Sequence, residues 1–215
     1  MRAVKAVGAR SVYFSTDYVF PGDEEGSAYE ESMPCAPVNV YGSTKLAGER
    51  AVLDEDPTTL VIRTTGVFGP EKQGKNFVYQ LCNAIAEKKD TYCSRDSFGS
   101  PTYNRDLAAM TVSLLEARAT GIYHCVGPET LDRNAFAILI ASAFGLDSKF
   151  VKSIDSQALY QNTVDRLGFA ARRGKHLGLS NQKVKDALPF TSHPRSITAA
   201  LQHWKDNPRG AECKF

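Results

Sequence analysis

The 215 residues are 42% hydrophobic and 23% charged, the proportions of a folded chain with a buried core and not of a disordered or fibrous one. Lys plus Arg number 26 against 24 Asp plus Glu, a net charge of +2 with the signs interspersed, which supplies no electrostatic footprint for nucleic acid or an anionic membrane. No apolar run approaches the ~20 residues of a membrane span or the stretch of a signal peptide, and five scattered cysteines (Cys35, Cys82, Cys93, Cys125, Cys213) without a Cys-x-x-Cys pair suit reduced thiols in the cytoplasm.

In chain order, Ala3, Val4, Ala6 and Val7 form a helical stripe that ends at Gly8, predicting a helix over residues 1–10. Ser11 to Phe14 reads as a short buried strand, with Ser15, Thr16, Asp17 and Tyr18 at its carboxyl end, where ligands bind in open parallel sheets. A long loop over 21–37 closes on Asn39, a capping residue for a helix running from Tyr41 to about residue 53. The β-branched stretch Thr59 to Arg63 predicts the next strand, followed by a loop from Thr65 to Pro70. Helices are expected over 76–88 and 104–118, with a strand near 90–93 between them. A strand over 121–126 precedes an amphipathic helix over 132–145 that stops at Gly145. After residue 146 the pattern loosens until two late helices, near 180–188 and 195–206, and a polar tail beyond Pro208 expected to fray. Strands alternating with helices of this length predict an α/β fold with a parallel sheet.

The chemistry centres on Tyr41 and Lys45. Four residues apart on a helix, a phenol and an ammonium share one face, and an ammonium near a phenol favours the phenolate. The spacing alone is common and carries little weight. Its setting adds a hydroxyl at a strand end, Thr16, which together with the pair could move a proton to or from an oxygen.

These stretches, Ser15 to Phe20, Pro37 to Glu49 with Tyr41-Gly42-Ser43-Thr44-Lys45 inside it, Arg63-Thr64, Asn76-Phe77 and Asp96 to Thr102, taken together in order, resemble the extended short-chain dehydrogenase/reductase superfamily. The likeness is greater to its dTDP-4-dehydrorhamnose reductase branch, which also contains the regulatory beta subunit of methionine adenosyltransferase. It runs from about residue 10 to about 150. The resemblance implies a doubly wound, Rossmann-type parallel sheet with a small C-terminal substrate-binding lobe, divided as 1–70 and 71–215, with the strand at 121–126 returning to the main sheet. It implies an NAD(P)H-dependent reductase of a 4-keto nucleotide sugar. Tyr41 would be the general acid and Lys45 the cation that favours its ionised form and holds the cofactor ribose. Thr16 would hold the substrate carbonyl, and Ser15 would stand with Tyr41 and Lys45 on the cofactor side. Asp17, Tyr18, Asn76 and Arg172 would line the sugar nucleotide site, Arg172 because guanidinium forks match phosphate oxygens. Partners implied are the nucleotide sugar, a second copy in a homodimer, or the catalytic subunit of methionine adenosyltransferase, for which the chain would be a non-catalytic regulatory subunit.

Two departures shape the expectation. Arg63-Thr64-Thr65-Gly66 stands where many reductases of the branch read Arg-Thr-Ser-Trp, so an aromatic that would pack on the sugar is missing. No Gly-x-Gly-x-x-Gly or Gly-x-x-Gly-x-x-Gly occurs in the 215 residues, although dinucleotide binding uses a glycine-rich turn to bring backbone N–H groups to the pyrophosphate. The sheet is therefore expected to be truncated, as in a split or shortened gene product, with an unpaired apolar edge on the strand at 11–16 and with weak or absent binding of NADP or NAD.

Overall fold

A computed structural model describes Val4, residues 6–23, Gly26 and residues 28–208. Of the helix expected over 1–10, Val4 and Ala6 are helical and residues 7–10 are not, while residues 1–3 and 5 and the tail beyond Pro208 lie outside the described residues; Gly8 has φ of +63°, the left-handed backbone suited to a residue after a helix.

The order is β1 (Val12–Thr16), α1 (Val40–Glu55), β2 (Leu60–Thr64), β3 (Val67–Phe68), α2 (Phe77–Ala86), β4 (Thr91–Ser94), β5 (Phe98–Gly99), β6 (Thr102–Tyr103), α3 (Asn104–Glu116), β7 (Gly121–His124), β8 (Leu131–Asp132), α4 (Arg133–Phe144), β9 (Val151–Ile154), α5 (Ser156–Leu167), α6 (Gln182–Ala187) and α7 (Ile197–Asp206). Single-turn 3₁₀ helices cover Asp17–Val19, Ser148–Phe150 and Phe190–Ser192. Alternation of strand and helix has the expected consequence: β1, β2 and β7 form a parallel sheet in the order β1-β2-β7. Its centre is β2, whose Leu60, Val61 and Ile62 are wholly buried, as a strand covered on both faces requires. β4 pairs with β9 in parallel, β3 with β6 in parallel, and β5 with β8 antiparallel.

The strand expected over 11–14 runs over Val12–Thr16, and among the described residues it pairs with β2 alone, at the sheet edge expected of it, with Phe14 45% exposed. The stretch after residue 146 is more ordered than its pattern suggests, since it contains β9 and α5.

Three apolar clusters hold the elements. Leu60 and Ile62 meet Met110 and Leu114 of α3 and Val184 of α6 under the parallel sheet. Val19, Phe20, Tyr29 and Leu46 pack with Leu177 and Leu179 beside α1. The largest joins α2, α4 and α7 through Leu81, Phe136, Ile140, Leu201 and Trp204. Close approach of α1 to the turn at Asp17–Val19 depends on Gly42, because a Cβ there would collide with the Tyr18 carbonyl oxygen.

Candidate active site

Local capping sets where α1 starts. Asn39, in extended backbone, accepts the Gly42 N–H at 2.8 Å, so the helix begins with Tyr41 and Lys45 one turn apart on the same face. Lys45 Nζ lies 6.0 Å from the Tyr41 ring centroid and 5.2 Å from that of Tyr13. It donates to the Phe14 carbonyl oxygen at 2.9 Å, which fixes the ammonium against the edge of β1. The Tyr41 side is open, with the residue 52% exposed, and its ring meets Tyr18 edge to face at 5.9 Å. The helix brings phenol and cation together and the turn after β1 adds a second phenol.

At the end of β1 the geometry differs from the sequence expectation. Thr16 and Asp17 are each 5% exposed. The Thr16 hydroxyl donates to Asp17 Oδ1 at 2.7 Å, and the Thr65 hydroxyl, from the loop after β2, donates to Asp17 Oδ2 at 2.6 Å. Asp17 therefore faces inward between two threonines and does not line an open sugar site. Burial pushes its carboxyl above the usual range, and the hydrogen bonds from Thr65 and Thr16 oppose that without reversing it. Burial likewise raises the Tyr18 phenol, against the opposing charges of Arg173 and Arg133.

Ser15 Oγ and Thr64 Oγ1 are buried without a hydrogen-bond partner, unusual for polar atoms shut away from water. Asn76 is held by structure: its Oδ1 caps α2 at the Val78 N–H and its Nδ2 donates to the Gly69 carbonyl. Arg172 is an exposed residue whose backbone carbonyl accepts from Asn39 Nδ2 at 3.0 Å, so the segment that carries it is tied to the start of α1. Of the residues singled out in the sequence, Tyr41, Lys45, Tyr18, Thr16 and Ser15 converge, while Asn76 and Asp17 have structural partners. Thr65 enters only through the fold. For Thr65 a signal was present, since it follows β2 as Asp17 follows β1, and Thr16 pairs with Thr64 across the sheet.

Among the described residues no helix is long and apolar enough to cross a membrane and no cluster of His, Cys, Asp or Glu could hold a metal ion.

The family described as the RmlD substrate binding domain matches residues 1–207. A dTDP-4-dehydrorhamnose reductase of Streptomyces griseus is 38% identical over 169 residues, 76% of this chain and 55% of that protein. Its counterpart in Mycobacterium tuberculosis is 34% identical over 217 residues, 95% of this chain and 71% of that protein. With the match to the Burkholderia thailandensis reductase covering 50% of that protein, the chain spans about half the length of the first curated relatives it matches. Among solved structures, the dTDP-4-dehydrorhamnose reductase of Bacillus anthracis in complex with NADP superimposes with a TM-score of 0.82 at 29% identity, over 95% of this chain and 68% of that one.

Proposed function

Because the chain belongs to the RmlD substrate binding domain family, we propose that it serves the NAD(P)H-dependent reduction of a 4-keto nucleotide sugar of the dTDP-4-dehydrorhamnose kind, the activity for which its relatives are named. The observation that carries this reading is the Tyr41–Lys45 pair: a half-exposed phenol with an ammonium 6.0 Å from its ring, at the carboxyl end of a parallel sheet.

The residues on the cofactor side suit the nicotinamide end of a dinucleotide. Lys45 has one donor on the Phe14 carbonyl and two more to offer ribose hydroxyls, and Ser15 Oγ is a buried hydroxyl without a partner. A bound reduced nicotinamide supplies the hydride that reaches the carbonyl carbon. Tyr41 then delivers its hydroxyl proton to the carbonyl oxygen, and the Lys45 charge stabilises the phenolate left behind. The Thr16 hydroxyl reaches the same oxygen by rotating away from Asp17, whose carboxylate keeps the Thr65 hydrogen bond while it does so.

The test is a reductase assay on dTDP-4-dehydrorhamnose with saturating NADPH. Tyr41→Phe is expected to lower kcat by about a hundredfold or more with the circular dichroism spectrum unchanged. Turnover that survives Tyr41→Phe would remove the phenol from the mechanism, and a parent chain with no turnover would remove the reductase reading.

A further inference from the structure

We propose that Tyr13 is a positioning residue for the reaction assigned to Tyr41 and Lys45: its ring holds the Lys45 ammonium at the edge of β1 without neutralising it; the proposal rests on the reductase reading above. Lys45 Nζ lies 5.2 Å from the centroid of the Tyr13 ring, within reach of a cation–π contact. It lies 6.0 Å from that of Tyr41, so one charge addresses two rings, one from β1 and one from α1. The Tyr13 hydroxyl reaches α1 itself and donates to the Lys45 carbonyl oxygen at 3.4 Å, which sets the ring against the residue whose ammonium it holds. Burial, followed by the negative charges of Glu49 and Tyr41, pushes the Tyr13 phenol above its usual range, so it stays a protonated donor.

Helix α1 is shaped to admit that ring. Gly48 stands in its interior, where glycine is less favourable than alanine, and a Cβ there would collide with the Tyr13 hydroxyl and the ring carbon that bears it. The missing Cβ lets Tyr13 lie against the turn that carries Lys45. No carboxylate takes the ammonium instead. Glu49, four residues beyond Lys45, gives both its oxygens to Arg63, and Lys45 takes part in none of the ion pairs formed among the described residues. Its hydrogen bond goes to the Phe14 carbonyl oxygen at 2.9 Å. A carboxylate would hold the ammonium and cancel the field that favours a Tyr41 phenolate, whereas a π face and a carbonyl hold it with its full charge intact. Two consecutive residues of β1 thus supply the face and the oxygen that fix Lys45.

The experiment is an NMR titration of the full chain with reduced nicotinamide mononucleotide, run beside the reductase assay. Tyr13→Leu keeps an apolar side chain on β1 and removes the ring. It is expected to weaken the mononucleotide by about two- to fivefold and to lower kcat/KM for NADPH comparably, while Tyr13→Phe, which keeps the ring, restores most of the loss. A double-mutant cycle separates positioning from packing: combined with Lys45→Met, Tyr13→Leu should have no further effect, whereas lost packing would act equally with and without the lysine. In the absence of any ligand, ring currents should place the Lys45 ε-methylene protons upfield of those of exposed lysines, less so in Tyr13→Leu and unchanged in Tyr13→Phe. If Tyr13→Leu fails to fold, Gly48→Ala decides, because it keeps both side chains and drives the ring aside; the same weakening and the same loss of upfield shift are expected of it. Lys45 resonances that do not move in the folded variants, or a Tyr13→Leu loss of equal size with and without Lys45→Met, overturn the positioning role and leave the reductase reading intact. A parent chain without turnover sinks the reductase reading alone, and the Lys45 resonances then decide whether Tyr13 holds the ammonium.

Discussion

At the carboxyl end of β1, a carboxylate is closed off from water and receives a hydroxyl from each side. Asp17 accepts from Thr16 and from Thr65, yet burial outweighs both and raises its pKa. The sign of the consequence follows from proton counting. Between the unfolded value of about 3.9 and the higher folded one, the folded chain binds more protons than the unfolded chain, so stability falls as pH rises through that window. Asp17→Asn removes the titration and retains one acceptor for the threonines. The melting temperature of the variant relative to the parent should therefore increase from about pH 4 upward and level off above the folded pKa of Asp17. A difference that shrinks with rising pH would show that the carboxylate is stabilised as an anion. Ser-Thr-Asp at a strand end was legible as a site, but the inward turn of Asp17 was not, because the hydroxyl that closes it comes from Thr65, 48 residues further along the chain.

At the scale of elements, a buried ion pair joins α1 to the sheet. Arg63 of β2 donates to both carboxylate oxygens of Glu49, Nε at 2.9 Å and Nη2 at 2.7 Å, with both side chains almost fully buried. The same guanidinium lies 5.0 Å from the centroid of the Phe20 ring and donates to Cys35 Sγ at 3.3 Å. Glu31 accepts the His124 backbone N–H at 2.8 Å, so the loop over 20–37 is tied to the ends of β2 and β7. The two rings of Phe20 and Tyr29 stack at 4.3 Å over this junction. Removing one member leaves the other charged and buried: Arg63→Met should cost about 3–5 kcal/mol, and adding Glu49→Leu should recover most of it. Urea unfolding of the single and double variants checks this, and a double variant no more stable than the single would show that the pair is not the junction's main tie. This junction explains what could be read in advance. Asn39, Tyr41 and Lys45 act through caps and i,i+4 neighbours, which spacing reveals, whereas Glu49 to Arg63 and Glu31 to His124 are long-range meetings that no period encodes. α5 buries no side chain, and its one apolar face, Leu159, Tyr160, Val164 and Leu167, is set among polar residues, which left it hard to tell from a loose pattern.

For the molecule as a whole, the order β1-β2-β7 leaves β1 at one edge of the parallel sheet, with Phe14 exposed and its carbonyl taken by Lys45. Alternation, caps and strand composition made this α/β core legible; the pairings of β3 with β6 and β5 with β8 were not, since each strand is two residues long. The catalytic end and the cofactor-gripping end of such a site are physically separable. On the proposed reading Tyr41, Lys45 and Ser15 would address a nicotinamide and its ribose, while a pyrophosphate is held by backbone N–H groups at a glycine turn opening onto a helix. The helix that follows β1 does not offer such a cradle, because Asn39 Oδ1 already occupies the Gly42 N–H at its start, and the 215 residues contain no glycine-rich fingerprint. The adenosine and pyrophosphate parts of a dinucleotide should then add little to its affinity for this chain. NADPH fluorescence titration is expected to show half-saturation well above the micromolar range, with reduced nicotinamide mononucleotide binding comparably, and Lys45→Met should weaken both alike. A low-micromolar dissociation constant for NADPH, or a large preference for it over the mononucleotide, would mean that these residues grip the whole dinucleotide and that a pyrophosphate site exists without the glycine turn.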